Sequence, residues 1–107
     1  MKYTFTKGER LAVAIVINQL EGVNRTDARL VSKVDEHLEL GEVQLGVPLA
    51  NMGEVAEFEL AELEVEWIQD HIDKSFKKQR VPPFVAPHAL SLEEKLKAEP
   101  KKEAKKK

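Results

Sequence analysis

Apolar residues recur along the chain first with a helical period, then in alternation, then helically again, and each change of period predicts a change of element. Leu11, Ala14, Ile15, Val16, Ile17 and Leu20 form the first apolar run, which between 11 and 17 is apolar nearly all round. That pattern predicts the most buried helix of the protein. Its β-branched residues also permit a strand, but the start signal and the length of the run favour a helix. Thr6 is placed to cap it, and Glu9, three residues on, to reach back and complete a capping box. Gly22 is expected to end it in the left-handed conformation. A second helix starts at Asn24 or Thr26, turns Leu30, Val31, Val34 and Leu38 inward, and is expected to end at Gly41. The short connection makes the two helices antiparallel neighbours.

From residue 42 the period becomes two: Val43, Leu45, Val47 and Leu49 alternate with other residues, as in a half-buried strand. Pro48 restricts that strand to an edge or exit position. Asn51, Met52 and Gly53 read as a turn, after which 55–60 returns as the second strand of a hairpin, with Phe58 and Leu60 on one face. Alternating glutamates would also allow strand as far as residue 67. Past Ala61, however, Val65, Ile68, Ile72 and Phe76 fall three and four apart, which predicts a long helix over 61–80. A second stripe, Leu60, Leu63 and Trp67, stops where His71, Lys74 and Lys78 take over its positions. It needs a second cover, from the hairpin or from another molecule.

Charge order supports the long helix. Glu62, Glu64 and Glu66 precede Lys74, Lys77, Lys78 and Arg80, so both ends complement the helix dipole. Asp70 with Lys74 and Asp73 with Lys77 add four-apart pairs. Pro82 and Pro83 stop the helix. Beyond residue 81, three prolines predict an extended segment. Ser91 and Glu94 could cap a short helix carrying Leu92 and Leu96, but two turns would be marginal alone. Pro100 and the five lysines that follow it are expected to be disordered. The predicted fold is α+β, mainly α: helix, helix, short β-hairpin, long helix, then an extended Pro-rich tail. The predicted organisation is a small globular domain over 1–80 and a Pro-rich and Lys-rich tail over 81–107.

Composition narrows the class. The chain has 107 residues, 42% of them hydrophobic and 34% charged, which suits one small folded domain rather than a disordered chain. With no cysteine there are no disulfides or thiolate metal sites, and a cytoplasmic location is expected. No apolar run approaches the ~20 residues that span a bilayer, and the first six residues lack the core of a signal peptide. No membrane role is expected. The net charge of -2 hides an asymmetry. Residues 1–80 carry ten basic against fifteen acidic side chains, and 81–107 seven against four, giving an acidic body with a basic tail.

The stretch Phe5-Thr6-Lys7-Gly8-Glu9-Arg10-Leu11, then Leu20-Glu21-Gly22, then Phe58-Glu59-Leu60 ahead of an acidic amphipathic helix, resembles small phage-encoded proteins of unassigned function. Over about the first eighty residues the layout looks like two helices, a short hairpin and a third helix. The resemblance implies a viral or prophage setting and no particular activity.

None of the common catalytic motifs is present, whether HExxH, a phosphate-binding Gly-Lys loop, GxSxG or a cysteine nucleophile. No catalytic residue, cofactor or metal is therefore expected. Asp70, His71 and Asp73 come nearest to a ligand cluster, but at these spacings they point apart on a helix. His37 and His88 have no ligand partners at helical spacing. Arg25, Arg29 and Lys33 recur every fourth residue on the second helix, with His37 continuing the line, a face that could follow phosphates or enter a major groove. In the tail, Phe84, Val85, Leu90, Leu92 and Leu96 are too apolar for an inert linker, while the prolines prevent a core of their own. The expected function is a non-catalytic protein-protein interaction or assembly module. Its contact residues would be Leu63, Trp67, Phe84, Val85, Leu90, Leu92 and Leu96, used for a partner or for self-association, with the alternative that the tail lies along its own domain. On this reading, removing 81–107 leaves a folded body that no longer associates. The alternative is a small DNA-binding regulator using Arg25, Arg29 and Lys33.

Overall fold

A computed structural model describes residues 1–44 and 46–97. In chain order the elements are β1 (Lys2–Thr6), α1 (Lys7–Asn18), α2 (Arg25–His37), 3₁₀ turns at Leu40–Glu42 and Leu49–Asn51, β2 (Val55–Glu59), α3 (Glu62–Lys77) and α4 (Ala86–Lys97). The fold is α+β and mainly helical, with a single two-stranded antiparallel sheet among the described residues.

The strand pairing differs from the expected hairpin. Val55–Glu59 is a strand, but its partner is β1, in the register Tyr3 opposite Phe58 and Lys2 opposite Glu59. Tyr3 and Phe5 alternate inward along β1, and Phe5 stacks on Phe58 with ring centroids 6.3 Å apart. Met1 and Leu60 extend the ladder, the Leu60 amide donating to the Met1 carbonyl at 2.9 Å. Of the segment expected to pair here, Leu45 lies outside the described residues, and on either side of it 43–44 lie in a turn and 46–49 form no strand. Gly46 takes φ 109° and Pro48 has no N–H to offer a ladder, so the apolar alternation is broken where a strand would have to run. Val43 is nevertheless fully buried, and the aromatic residues of β1 give Phe58 a larger apolar partner.

α1 begins as expected. The Glu9 amide donates to Thr6 Oγ1 at 3.0 Å and the Thr6 amide to Glu9 Oε1 at 2.8 Å. Two helix ends depart from the glycine rule. α1 stops at Asn18, and Gly22 does not adopt positive φ. α2 stops at His37 and Glu39 takes the left-handed position at φ 51°, ahead of Gly41. Here a side chain replaces the glycine, because the Arg10 guanidinium donates to the carbonyls of Leu38 (2.9 Å) and Glu39 (3.3 Å). α3 ends in a Schellman turn with Gln79 left-handed, the Arg80 amide donating to Ser75 O at 2.8 Å.

The largest departure is in the tail. Residues 82–85 form turns that lead into α4, with the Ala86 amide donating to the Pro82 carbonyl at 3.0 Å. Pro87 does not oppose the helix, because it lies in the first turn, where an N–H would have no intrahelical acceptor. Val85, Ala89, Leu92 and Leu96 are buried in the same core as Phe5, Leu11, Val34, Leu60, Ile68 and Ile72. α4 packs on α1 and α3, and α2 packs on α3, so α1 takes α4 and α3 rather than α2 as its chief neighbours. The body expected to end at residue 80 thus continues to Lys97. Residues 98–107 lie outside the described residues, and with them Pro100 and the Lys-rich end expected to be disordered.

Candidate functional site

Burial divides the expected contact residues into two groups. Trp67, Val85, Leu92 and Leu96 are buried, at 6%, 1%, 1% and 2% exposure. The last three lie in the shared core, Leu92 and Leu96 on the helix that packs on α1 and α3, and they cannot meet another molecule while the protein is folded. Leu63, Phe84 and Leu90 remain exposed, at 65%, 61% and 52%. Trp67 stacks on His71 with centroids 4.0 Å apart, and the His71 Nδ1–H donates to the Trp67 carbonyl at 3.0 Å.

Two further large apolar residues, Leu49 and Val55, are exposed, at 86% and 61%. Gly8 sits against the His88 ring, and its amide donates to the Met52 carbonyl at 3.0 Å, while the Lys7 amide donates to Glu54 O. The starts of α1 and α4 and the turn before β2 therefore meet at one corner. Phe84 and Leu90 flank His88 in the chain, and Leu49 and Val55 flank Met52 and Glu54. All four are more than half exposed. Sequence reading missed Leu49 and Val55 because it assigned both to the strands of a hairpin.

Arg25, Arg29 and Lys33 all lie exposed on α2, and among the described residues none of the three takes part in an ion pair. His37 leaves this line, because its Nδ1–H donates to the buried Glu64 carboxylate at 2.9 Å and joins the end of α2 to the start of α3. Asp70 pairs with Lys74 at 2.9 Å and Asp73 with Lys77 at 3.0 Å, so the two carboxylates are drawn apart.

The buried charges were not legible in the sequence. Glu9, 1% exposed, accepts from Ser91 Oγ at 2.6 Å, Lys95 Nζ at 2.8 Å and the Thr6 amide. Burial pushes its carboxyl up, but the Lys95 ammonium, the Ser91 hydroxyl and the Thr6 amide together outweigh it and hold the carboxyl below its ordinary value. A carboxylate so stabilised is a weak base, and its partners make it a structural tie between α1 and α4. Arg10 is the second such tie. Beyond its two carbonyl contacts it pairs with Glu42 at 2.8 Å and lies 4.6 Å over the Phe58 ring.

Comparison with protein-family models, curated proteins and solved structures finds no match. No helix among the described residues is long and apolar enough to cross a membrane.

Proposed function

We propose that the chain is a non-catalytic assembly module that associates with a second copy of itself through Leu49, Val55, Phe84 and Leu90. The reading rests on one observation, the exposure of four large apolar side chains on the segments that adjoin the meeting point of α1, α4 and the start of β2. Scattered exposed apolar residues are ordinary on a protein surface, whereas a local group of them favours a contact. Burying four such side chains offers about 6 to 12 kcal/mol. Association costs several kcal/mol in lost freedom, so the expected contact is weak. The phage or prophage setting suggested by the opening residues belongs to this proposal, since small assembly proteins are at home there.

Sedimentation of the full chain over a rising concentration series tests it. The wild-type mass is expected to climb toward that of a dimer, while Phe84→Asp with Leu90→Asp stays monomeric with an unchanged melting temperature. A wild-type protein that remains monomeric throughout, or a double variant that associates equally well, overturns the proposal. DNA binding by α2 is the second reading, favoured by the exposed Arg25, Arg29 and Lys33, which form no ion pair among the described residues. It expects Arg29→Glu with Lys33→Glu to abolish salt-sensitive duplex binding and to leave self-association intact.

A further inference from the structure

The two strands of the sheet differ in what covers their outer edges. Met1 and Leu60 exchange main-chain bonds, the Met1 ammonium donating to the Leu60 carbonyl at 3.0 Å and the Leu60 amide returning to Met1 O at 2.9 Å. At the other end of the ladder the Lys7 amide donates to Glu54 O at 2.9 Å. Opposed residues of an antiparallel pair alternate between those that exchange bonds and those that do not. Residues 1, 3, 5 and 7 therefore bond across the sheet, while Lys2, Thr4 and Thr6 turn their main-chain groups outward, as do Glu59, Glu57 and Val55 opposite them. The outer edge of β1 is occupied, because Lys95 Nζ donates to the Thr4 carbonyl and the Thr6 amide donates to Glu9 Oε1, both at 2.8 Å.

The outer edge of β2 is open. No hydrogen bond from another described segment reaches the amides and carbonyls of Val55, Glu57 and Glu59, and all three residues are exposed. Charge on such an edge commonly serves to keep copies of a protein from pairing. Glu57 and Glu59 do so here, because two β2 strands laid edge to edge would set these carboxylates on one face beside their own copies. That protection has one sign only, so it leaves the edge open to a strand of the opposite charge. Glu57 is the less compensated of the two, standing opposite Thr4 whereas Glu59 stands opposite Lys2, and neither forms an ion pair among the described residues.

We propose that the outer edge of β2 accepts an extended basic segment of a partner protein as a third, antiparallel strand. Main-chain bonds to Val55, Glu57 and Glu59 supply the attraction, and the alternate side chains select the partner. Directly opposed residues share a face of the sheet, so the partner carries basic residues opposite Glu59 and Glu57 and an apolar residue opposite Val55. Read along the partner, the order is basic, any, basic, any, apolar. The contact uses main-chain groups and a foreign strand, and it does not depend on whether the chain also pairs with itself through Phe84 and Leu90.

Titrating the ¹⁵N-labelled full chain with an acetylated and amidated Thr-Lys-Val-Lys-Thr-Val-Thr peptide tests the edge. Saturable shifts are expected at residues 54–60, with hydrogen exchange at the Val55, Glu57 and Glu59 amides slowed about tenfold when the peptide stands at ten times its Kd. Methylating the main-chain nitrogens of the two lysines, which face β2, should abolish these shifts. Methylating the two residues that follow each lysine, whose N–H groups face away, should leave them. Glu57→Lys is expected to weaken the peptide about tenfold and to strengthen a peptide with Glu in place of Lys by as much, while the spectrum stays that of a folded protein. Three results would each overturn the proposal: a lysine-methylated peptide that binds as tightly as its parent, a Glu-for-Lys peptide that binds the wild type equally well, or shifts that fail to saturate through several millimolar.

Discussion

Glu9 and Arg10 are adjacent charged residues in the first turn of α1, and both are buried. Removing charge from water is costly unless partners replace the solvent, and each side chain has three. For Glu9 they are Thr6, Ser91 and Lys95; for Arg10 they are Leu38, Glu39 and Glu42. The Glu9 pair gives a pH prediction whose sign follows from its lowered folded value. Stability contributed by Glu9 is present in full above the ordinary carboxyl value of 4.5 and is lost as pH falls through the lower folded value. Melting curves across that acid range should show a loss in the wild type that is shallower in Glu9→Gln. At neutral pH the variant is expected to be less stable by about 1 to 3 kcal/mol, because its charge-assisted bonds become neutral ones. Parallel acid limbs in the two proteins would remove Glu9 as a source. The capping box that places Glu9 was readable from Thr6 and Glu9 alone. Its burial was not, since the covering residues lie more than eighty positions away.

Among the helices, the contact of α1 with α4 is the most extensive. A Cβ on Gly8 would stand 2.4 Å from His88 Nδ1, so any side chain there must displace the His88 ring, and glycine is favoured by proximity and not by an unusual backbone angle. Gly8→Ala should lower stability by about 1 to 3 kcal/mol, as overpacking does. His88→Ala in the same chain should restore a large part of that loss, measured as a non-additive double-mutant cycle. Additive losses would show that the two residues do not meet. Helix α4 itself was present in the sequence as spacing: 85, 89, 92 and 96 follow each other by four, three and four. The prolines obscured it, since a proline inside a helix breaks it whereas Pro87 in the first turn does not. Helix ends were less legible still, because the terminating contacts of α2 come from Arg10, on another element.

At the scale of the molecule, residues 81–97 complete the core. Val85, Leu92 and Leu96 each contribute about 1.5 to 3 kcal/mol by burial, a sum comparable with the ~5 to 15 kcal/mol that holds a whole domain folded. A chain ending at residue 80 would also strip Glu9 of Ser91 and Lys95. It is therefore expected to be unfolded, with a collapsed amide spectrum and random-coil circular dichroism. A well-dispersed spectrum from the truncated chain would show that the first eighty residues suffice. Unfolding on truncation is the reverse of what the proline content alone suggests, and the spectrum separates loss of folding from loss of association.

The sequence by itself determined what is local: the helical periods of α1, α2 and α3, the cap at Thr6, the acid-to-base order of α3, and the strand over 55–59. Each follows from residues within one or two turns of one another, where spacing and side-chain chemistry act directly. Only the tertiary structure decided which strand pairs with β2, which helix covers α1, and which apolar residues remain exposed. Those outcomes depend on a competition among distant segments for the same apolar surface. β1 prevails over 43–49 because it brings two aromatic rings and an unbroken run of N–H donors, and α4 prevails over solvent because its stripe fits α1 and α3. Trp67, Val85, Leu92 and Leu96 became core by that competition, and Leu49, Val55, Phe84 and Leu90 were left outside it.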